Sequence, residues 1–352
     1  MIDLLFYFLP FWLYLLFWLT RLYWERVRLD NLHERPVLIT GCDYGFAYDA
    51  AIELAKLQVP VFAACYTQDG MRKIQAEAEK IHGARLMALP LDVTDDESVE
   101  RMGQIVDKEC KRYGGLWAVI NSAGVALNLF IDEFLTCEDY YKTMDTNLYG
   151  LKRVVNRVAK LIKQKKGRVV NVTSILARCP VAGIGPYVIS KHAAGAYTDV
   201  IRKELAMFGV KVITIEPGFF RTNMSDLDRI AKENWGVWDR TKSEIKDEYG
   251  YDFVKTAIDN QALMMKMVKS ETTTRVVHAY VKSVTSVYAR RRYKVGFDTW
   301  FLWHPMSLLP TNLQDIIFYY MSLAIGGPPP ASLLPHCSHC KLKENTDQEN
   351  II

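Results

Sequence analysis

Residues 37–47 read Val37-Leu38-Ile39-Thr40-Gly41-Cys42-Asp43-Tyr44-Gly45-Phe46-Ala47, a short uncharged run followed by two glycines. Such a run suits a buried strand. Glycine after it permits a tight turn and lets backbone N–H groups close on a pyrophosphate at the start of the next helix. Taken alone the pattern is weak, because an ordinary turn gives the same letters. What repeats downstream decides between the two.

From residue 36 to about 215, strand-like and helix-like stretches alternate. Strands are expected over 37–40, 59–66, 85–91, 117–120, 168–173 and 210–215. Helices are expected from the glycine turn to 57, over 71–81, 96–113 and 147–163, and again from about 186. This order predicts an α/β fold, a doubly wound parallel sheet with its ligand at the carboxyl ends of the strands.

The chain of 352 residues is 50% hydrophobic and 24% charged, which excludes a disordered, collagen-like or disulfide-scaffold protein. Its net charge of +4 is too small for a nucleic-acid partner. The seven cysteines are odd in number and mostly far apart, so no disulfide framework is implied. Cys337-Ser-His-Cys340, after His336, has metal-like spacing but no second ligand pair, and no metal is expected.

Mean hydropathy is −0.03, far below that of a polytopic membrane protein, yet the ends differ from the middle. Residues 4–19 carry no charge and are crowded with aromatics. They span roughly 24 Å as a helix, and adding 20–24, with Arg21 snorkelling, reaches bilayer length. No cleavage site follows, so residues 1–24 are expected to be a retained membrane helix and 25–35 a linker. Arg21, Arg26, Arg28 and Arg35 favour a cytosolic main domain. Of two glycosylation sequons, at Asn171 and Asn223, the first falls in an expected buried strand.

Near the other end, the basic residues 290–294 precede an apolar C-terminal extension, 297–327, read as a membrane-facing or lid segment. The tail, 328–352, is expected to be disordered. The main domain is placed at 36–296, with its substrate region at 219–293.

Ser174 follows an expected strand, and Tyr187 and Lys191, four apart on a helix, project from one face. A phenol ionises near pH 10, so a tyrosine that exchanges protons near neutrality needs an adjacent positive charge, which Lys191 supplies. Ser174 is placed to donate to the same substrate oxygen. Asn147 is expected to hold a water linking Lys191 to solvent.

Over roughly residues 36–309 these features resemble the short-chain dehydrogenase/reductase family. The resemblance is carried by Thr40-Gly41-x-x-x-Gly45, Asp92, Asn121-Ser122-Ala123-Gly124, Asn147, Ser174, Tyr187-x-x-x-Lys191 and Pro217-Gly218 with Thr222. It implies a Rossmann-like domain, a nicotinamide cofactor and a catalytic tetrad of Asn147, Ser174, Tyr187 and Lys191, with Tyr187 as general acid/base. Residue by residue, it implies cofactor contacts from Gly41, Asp43, Gly45, Phe46, Ala47, Thr67, Asp92, Val93, Asn121, Ala123, Gly124, Tyr187, Lys191, Pro217, Gly218 and Thr222. Two positions depart from the family: Ala47 replaces a third glycine, and Ser122 replaces a second asparagine. Ala47 is expected to weaken cofactor affinity by crowding.

Ile39-Thr40-Gly41-Cys42-Asp43, Leu91-Asp92-Val93-Thr94, Gly115-Leu116-Trp117 and Arg292-Tyr293-x-x-Gly296-x-Asp298 look like the microsomal retinol and hydroxysteroid dehydrogenases. That likeness implies an endoplasmic-reticulum membrane location and a lipophilic alcohol substrate, a retinoid or a steroid. Ser174, Phe219, Phe220, Trp235 and Trp238 are the expected substrate contacts. The cofactor is read as NAD rather than NADP. The end of the second strand, Cys65-Tyr66-Thr67-Gln68-Asp69, offers a 2′-phosphate no cation, and Asp43 repels one. Arg72 reads as a solvated helix residue. An NADP-linked carbonyl or ketolipid reductase and a catalytically idle membrane scaffold are the alternatives. A homodimer is admitted, with nothing in the sequence that requires one.

Overall fold

The computed structural model describes residues 2–220, 226–268, 272–325 and 328–333, with the backbone alone given at 2–7, 264, 267–268 and 322–325. Short, mainly apolar runs form β1 (Val37–Thr40), β2 (Val61–Cys65), β3 (Leu86–Pro90), β4 (Ala118–Asn121), β5 (Arg168–Val172) and β6 (Lys211–Pro217), and a charged stretch forms β7 (Arg292–Val295). All neighbours pair in parallel, in the order β3-β2-β1-β4-β5-β6-β7. The order reverses between β1 and β4, where an open sheet leaves a crevice at its carboxyl edge.

Helices cover both faces. The apolar N-terminal helix is α1 (Ile2–Trp24), followed by α2 (Gly45–Lys56), α3 (Gln68–Glu79) and α4 (Asp96–Cys110). Next come α5 (Cys137–Met144), α6 (Leu151–Gln164) and α7 (Gly185–Ala206). After β6 lie α8 (Leu227–Arg240), α9 (Ser243–Tyr249), α10 (Tyr251–Val268) and α11 (Thr274–Thr285). The last α-helices among the described residues are α12 (His304–Met306) and α13 (Thr311–Ile325). Residues of α2, α3 and α11 bury against one face of the sheet, and those of α4, α6 and α7 against the other.

Six strands fall within about two residues of their expected places; β7 was not anticipated. Its Arg-Tyr-Lys-Val sequence alternates half-buried and buried positions, as an edge strand does. Charge hid it. Arg292 pairs with Glu216 and with Asp199 at 2.8 Å, and Arg290 pairs with Glu25. Two of the three arginines read as a headgroup contact are therefore spent on carboxylates distant in sequence.

The expected linker is docked. Leu29 N donates to Thr285 O at 2.7 Å, Val287 N to Val27 O at 2.9 Å, and Ser286 Oγ to Glu25 O at 2.9 Å. Among the described residues, no helix is long and apolar enough to cross a membrane. The Asn171 sequon lies in β5 and is fully buried. Asn223, Thr222 and the Cys337/Cys340 pair lie outside the described residues.

Candidate active site at the carboxyl edge of the sheet

Gly41 and Gly45 bracket the turn from β1 into α2, with φ of 75° and 71°. A Cβ on Gly41 would stand 2.8 Å from Ala123 Cα, so this turn and the β4 loop touch only because the side chain is absent. Thr40 Oγ1 holds that contact, accepting from Ser122 N and Ala123 N at 3.1 Å each. At the α2 N-terminus, Tyr44 supplies no side-chain cap. The first-turn N–H groups thus stay available to an anion. This cradle fits a dinucleotide's pyrophosphate. Phe46 is half-buried beside it, whereas Ala47, in the first turn of α2, faces the core and is buried.

Asp43 reaches from the same turn to the end of β2. Its carboxylate accepts from Tyr66 N at 2.9 Å, Thr67 N at 2.8 Å and Thr67 Oγ1 at 2.7 Å. Arg72 is exposed on α3. Asp92 binds Thr94 through both its N–H, at 2.9 Å, and its hydroxyl, at 2.7 Å. Val93 is buried against Gly150, where a Cβ would come within 2.6 Å of Val93 Cγ2. Asn121 donates to Asn171 at 2.8 Å, and Asn171 to Thr198 Oγ1 at 2.9 Å, tying the β4 end to α7.

A π-helical turn, Asp145–Gly150, interrupts the helix between α5 and α6 and carries Asn147. Such turns put a side chain where a regular helix would not. Asn147 Oδ1 accepts from Val125 N at 2.8 Å, while Nδ2 donates to Val125 O and Ser190 Oγ, both at 2.9 Å. Ser190 Oγ donates in turn to Tyr187 O at 2.7 Å. Asn147 thus grips both the β4 loop and α7. A side chain at Gly124 would lie 3.1 Å from Asn147 Oδ1 and 3.3 Å from Lys191 Nζ, so both polar ends converge on one small space.

Lys191 is 5% exposed, donates to Val172 O at 3.2 Å, and places Nζ 5.6 Å from the Tyr187 ring centroid. Burial pulls its pKa down to about 8. Burial also pushes Tyr187 up to about 12, with the Ser174 hydroxyl acting the other way. Burial, opposed by the Ser174 hydrogen bond, governs the phenol, and the expected depression by Lys191 is not seen. Ser174 sits just past β5 and caps a short 3-10 turn through Leu176 N at 3.2 Å.

The wall around Tyr187 is apolar. Ala126, Leu129 and Ile230 form a buried cluster against Tyr187, Ile184 and Met265. Phe219 packs near Trp303 at 5.6 Å between ring centroids, in the cluster that also borders Tyr187. The other expected wall residues lie elsewhere. Phe220 packs edge-on to Phe46 at 5.7 Å, on the cofactor side. Trp235 stacks on Tyr251 and Trp238 on Phe134, in a separate cluster of α8, α10 and residues 130–135. Sequence reasoning missed Ile230, Leu129 and Asp298. Asp298 Oδ2 accepts from Phe219 N at 2.9 Å and closes over Gly218, just after Pro217. The Gly296-x-Asp298 pattern was the available signal for it.

A Rossmann-like sheet with a glycine turn at its reversal point and a Ser-Tyr-Lys set beside it defines a nicotinamide-dependent oxidoreductase. The family model described as short chain dehydrogenase matches residues 35–233, and the chain belongs to that family. More narrowly, it falls in the retinol dehydrogenase subgroup. It is 38% identical to retinol dehydrogenase 16 of Homo sapiens, covering 92% of this chain and 100% of that protein. It is 35% identical to retinol dehydrogenase 7 of Rattus norvegicus, covering 89% and 98%. Among solved structures, a short chain dehydrogenase from Burkholderia cenocepacia in complex with NADP matches with a TM-score of 0.59 at 19% identity, covering 80% and 97%.

Proposed function

We propose that the protein oxidises a lipophilic secondary or allylic alcohol, a retinol or a 3α- or 17β-hydroxysteroid, to its carbonyl with NAD. One observation carries the reading: Tyr187, bonded to Ser174 and with Lys191 Nζ 5.6 Å from its ring, packs against an apolar wall of Ala126, Leu129, Ile230 and Ile184. NAD supplies the hydride acceptor. As phenolate, Tyr187 Oη takes the hydroxyl proton and becomes the neutral phenol, while Ser174 Oγ orients that oxygen. Lys191 holds a positive charge beside the phenol and binds the cofactor ribose. Asn147 keeps α7 and the β4 loop in register. The choice of NAD is supported by Asp43, whose charge sits at the end of β2, where a 2′-phosphate would lie.

The same reading puts the protein at the endoplasmic-reticulum membrane. Support comes from the exposed aromatic and aliphatic side chains of α1 from Phe8 onward, and from a two-faced C-terminal segment. Trp303, Met306, Ile317 and Phe318 of that segment turn toward the Tyr187 cluster. Phe297 and Phe301 are 68% and 71% exposed, an arrangement suited to lipid.

The test is an assay of the full-length protein in membranes over a panel of retinols and hydroxysteroids with each nucleotide. Reduction of NAD by at least one of them, at about tenfold or more the efficiency of NADP, is expected. Normal cofactor binding without turnover of any alcohol would refute the substrate class, and preference for NADP would refute the role of Asp43.

A further inference from the structure

The Tyr280 hydroxyl meets the Ser122 hydroxyl at 2.7 Å. Tyr280 lies on α11, is 0% exposed, and stands 6.5 Å from the Phe46 ring centroid to centroid. Ser122 belongs to the β4 loop, whose next residue, Ala123, touches Gly41. The phenol therefore bears on the point where the first glycine turn and the β4 loop close on each other. Burial pushes the Tyr280 pKa far above the ordinary phenol range, so it remains a neutral hydroxyl, and such a buried group needs a partner.

α11 is itself held firmly. Trp117 Nε1 donates to Val284 O at 2.8 Å, and the buried Arg168 guanidinium donates to Ser283 O at 2.7 Å and Ser286 O at 2.6 Å. A helix fixed at its C-terminal end thus reaches back through one hydroxyl pair to the loop. The smaller serine at position 122 leaves room for that hydroxyl. An asparagine there, with two more heavy atoms, would have to displace it.

We propose that Tyr280 is a positioning residue for the dinucleotide, holding residues 121–124 through Ser122 at the spacing that receives the cofactor. The proposal rests on the cofactor reading above. Its test measures NAD and NADP binding by titration calorimetry on the full-length protein, wild type against Y280F, S122A and the double variant S122A/Y280F. Each single change breaks this one bond, so the dissociation constant for NAD should rise about tenfold. For Y280F, kcat at saturating NAD should stay within about threefold. The double variant loses the same single bond and should bind no more weakly than either single variant, whereas two unrelated losses would multiply. Unchanged affinity in Y280F, or losses that simply multiply in the double variant, would overturn the proposal. Should Y280F not fold, S122A carries the same comparison from the other side. Wild-type binding of NADP alone would overturn only the choice of nucleotide, with the same pattern then required on NADP. Binding of neither would overturn both readings.

Discussion

The loops after β1 and β4 and the segments beyond β6 are built from opposite materials. On the first side, Thr40, Asp43, Asn147 and Ser122 each hold a neighbouring loop or helix by directional hydrogen bonds. Moving one of them breaks several bonds at once. On the second side, Ile230 and Phe219, in the clusters that border Tyr187, keep their places mainly by apolar packing. Apolar contact is non-directional and yields at small cost. The first arrangement suits one ligand of fixed shape, the second a range of lipophilic molecules.

Substitutions at the junction of the two sides should have the largest effects. Tyr187→Phe should lower kcat for oxidation by about 10³-fold while NAD affinity changes less than about threefold. Retention of most turnover would show that another group moves the proton. In the wild type, burial holds Tyr187 protonated at neutral pH, so its phenolate fraction grows as pH rises. Oxidation should accelerate from pH 6 to 9, while carbonyl reduction, which uses the phenol that stays protonated, should change little; an oxidation rate flat with pH would contradict the assignment.

On the directional side, Gly41→Ala combines a left-handed φ with a contact to Ala123. It should weaken NAD binding by about 10- to 100-fold, read by calorimetry on protein that still melts cooperatively. On the apolar side, Ile230→Ala should raise KM for a long alcohol about tenfold and leave NAD affinity unchanged. If the two variants exchanged these signatures, the division between the sides would fail.

A further effect concerns stability rather than turnover. The pKa of Lys191 is about 8 when folded, below its unfolded value of about 10.4. Between those values the unfolded chain binds more protons, so wild-type stability rises with pH across that window. Lys191→Met lacks this gain. It should melt higher than wild type near pH 7, by an amount of order 3 kcal/mol at most, with the difference shrinking toward pH 10. A difference constant with pH would mean that Lys191 is not held in a desolvated site.

The same division explains what the sequence disclosed. Cofactor-side geometry depends on neighbours in sequence: Thr40, Gly41, Asp43 and Gly45 fix one turn, and residues 121–124 another. Such clusters read directly as a strand, a turn and a helix start. Ser174, Tyr187 and Lys191 were legible because a strand end and one helix face place them. β7 was not, since its arginines look like surface until Glu216, Asp199 and Glu25 arrive from far along the chain. Trp235 and Trp238 misled because an aromatic residue after Pro217 does not reveal which cluster will bury it. Tyr280 gave no local signal, its partner Ser122 lying on another element of the sheet.

The most direct measurement follows the carbinol hydrogen. A retinol or hydroxysteroid deuterated at the alcohol carbon is incubated with the full-length protein and NAD, and the nucleotide is examined by mass spectrometry. The expected result is one deuterium in the reduced nicotinamide, formed in step with the carbonyl product and lost in Tyr187→Phe. Carbonyl product without label in the nucleotide, or undiminished label transfer in Tyr187→Phe, would contradict a hydride transfer governed by this site.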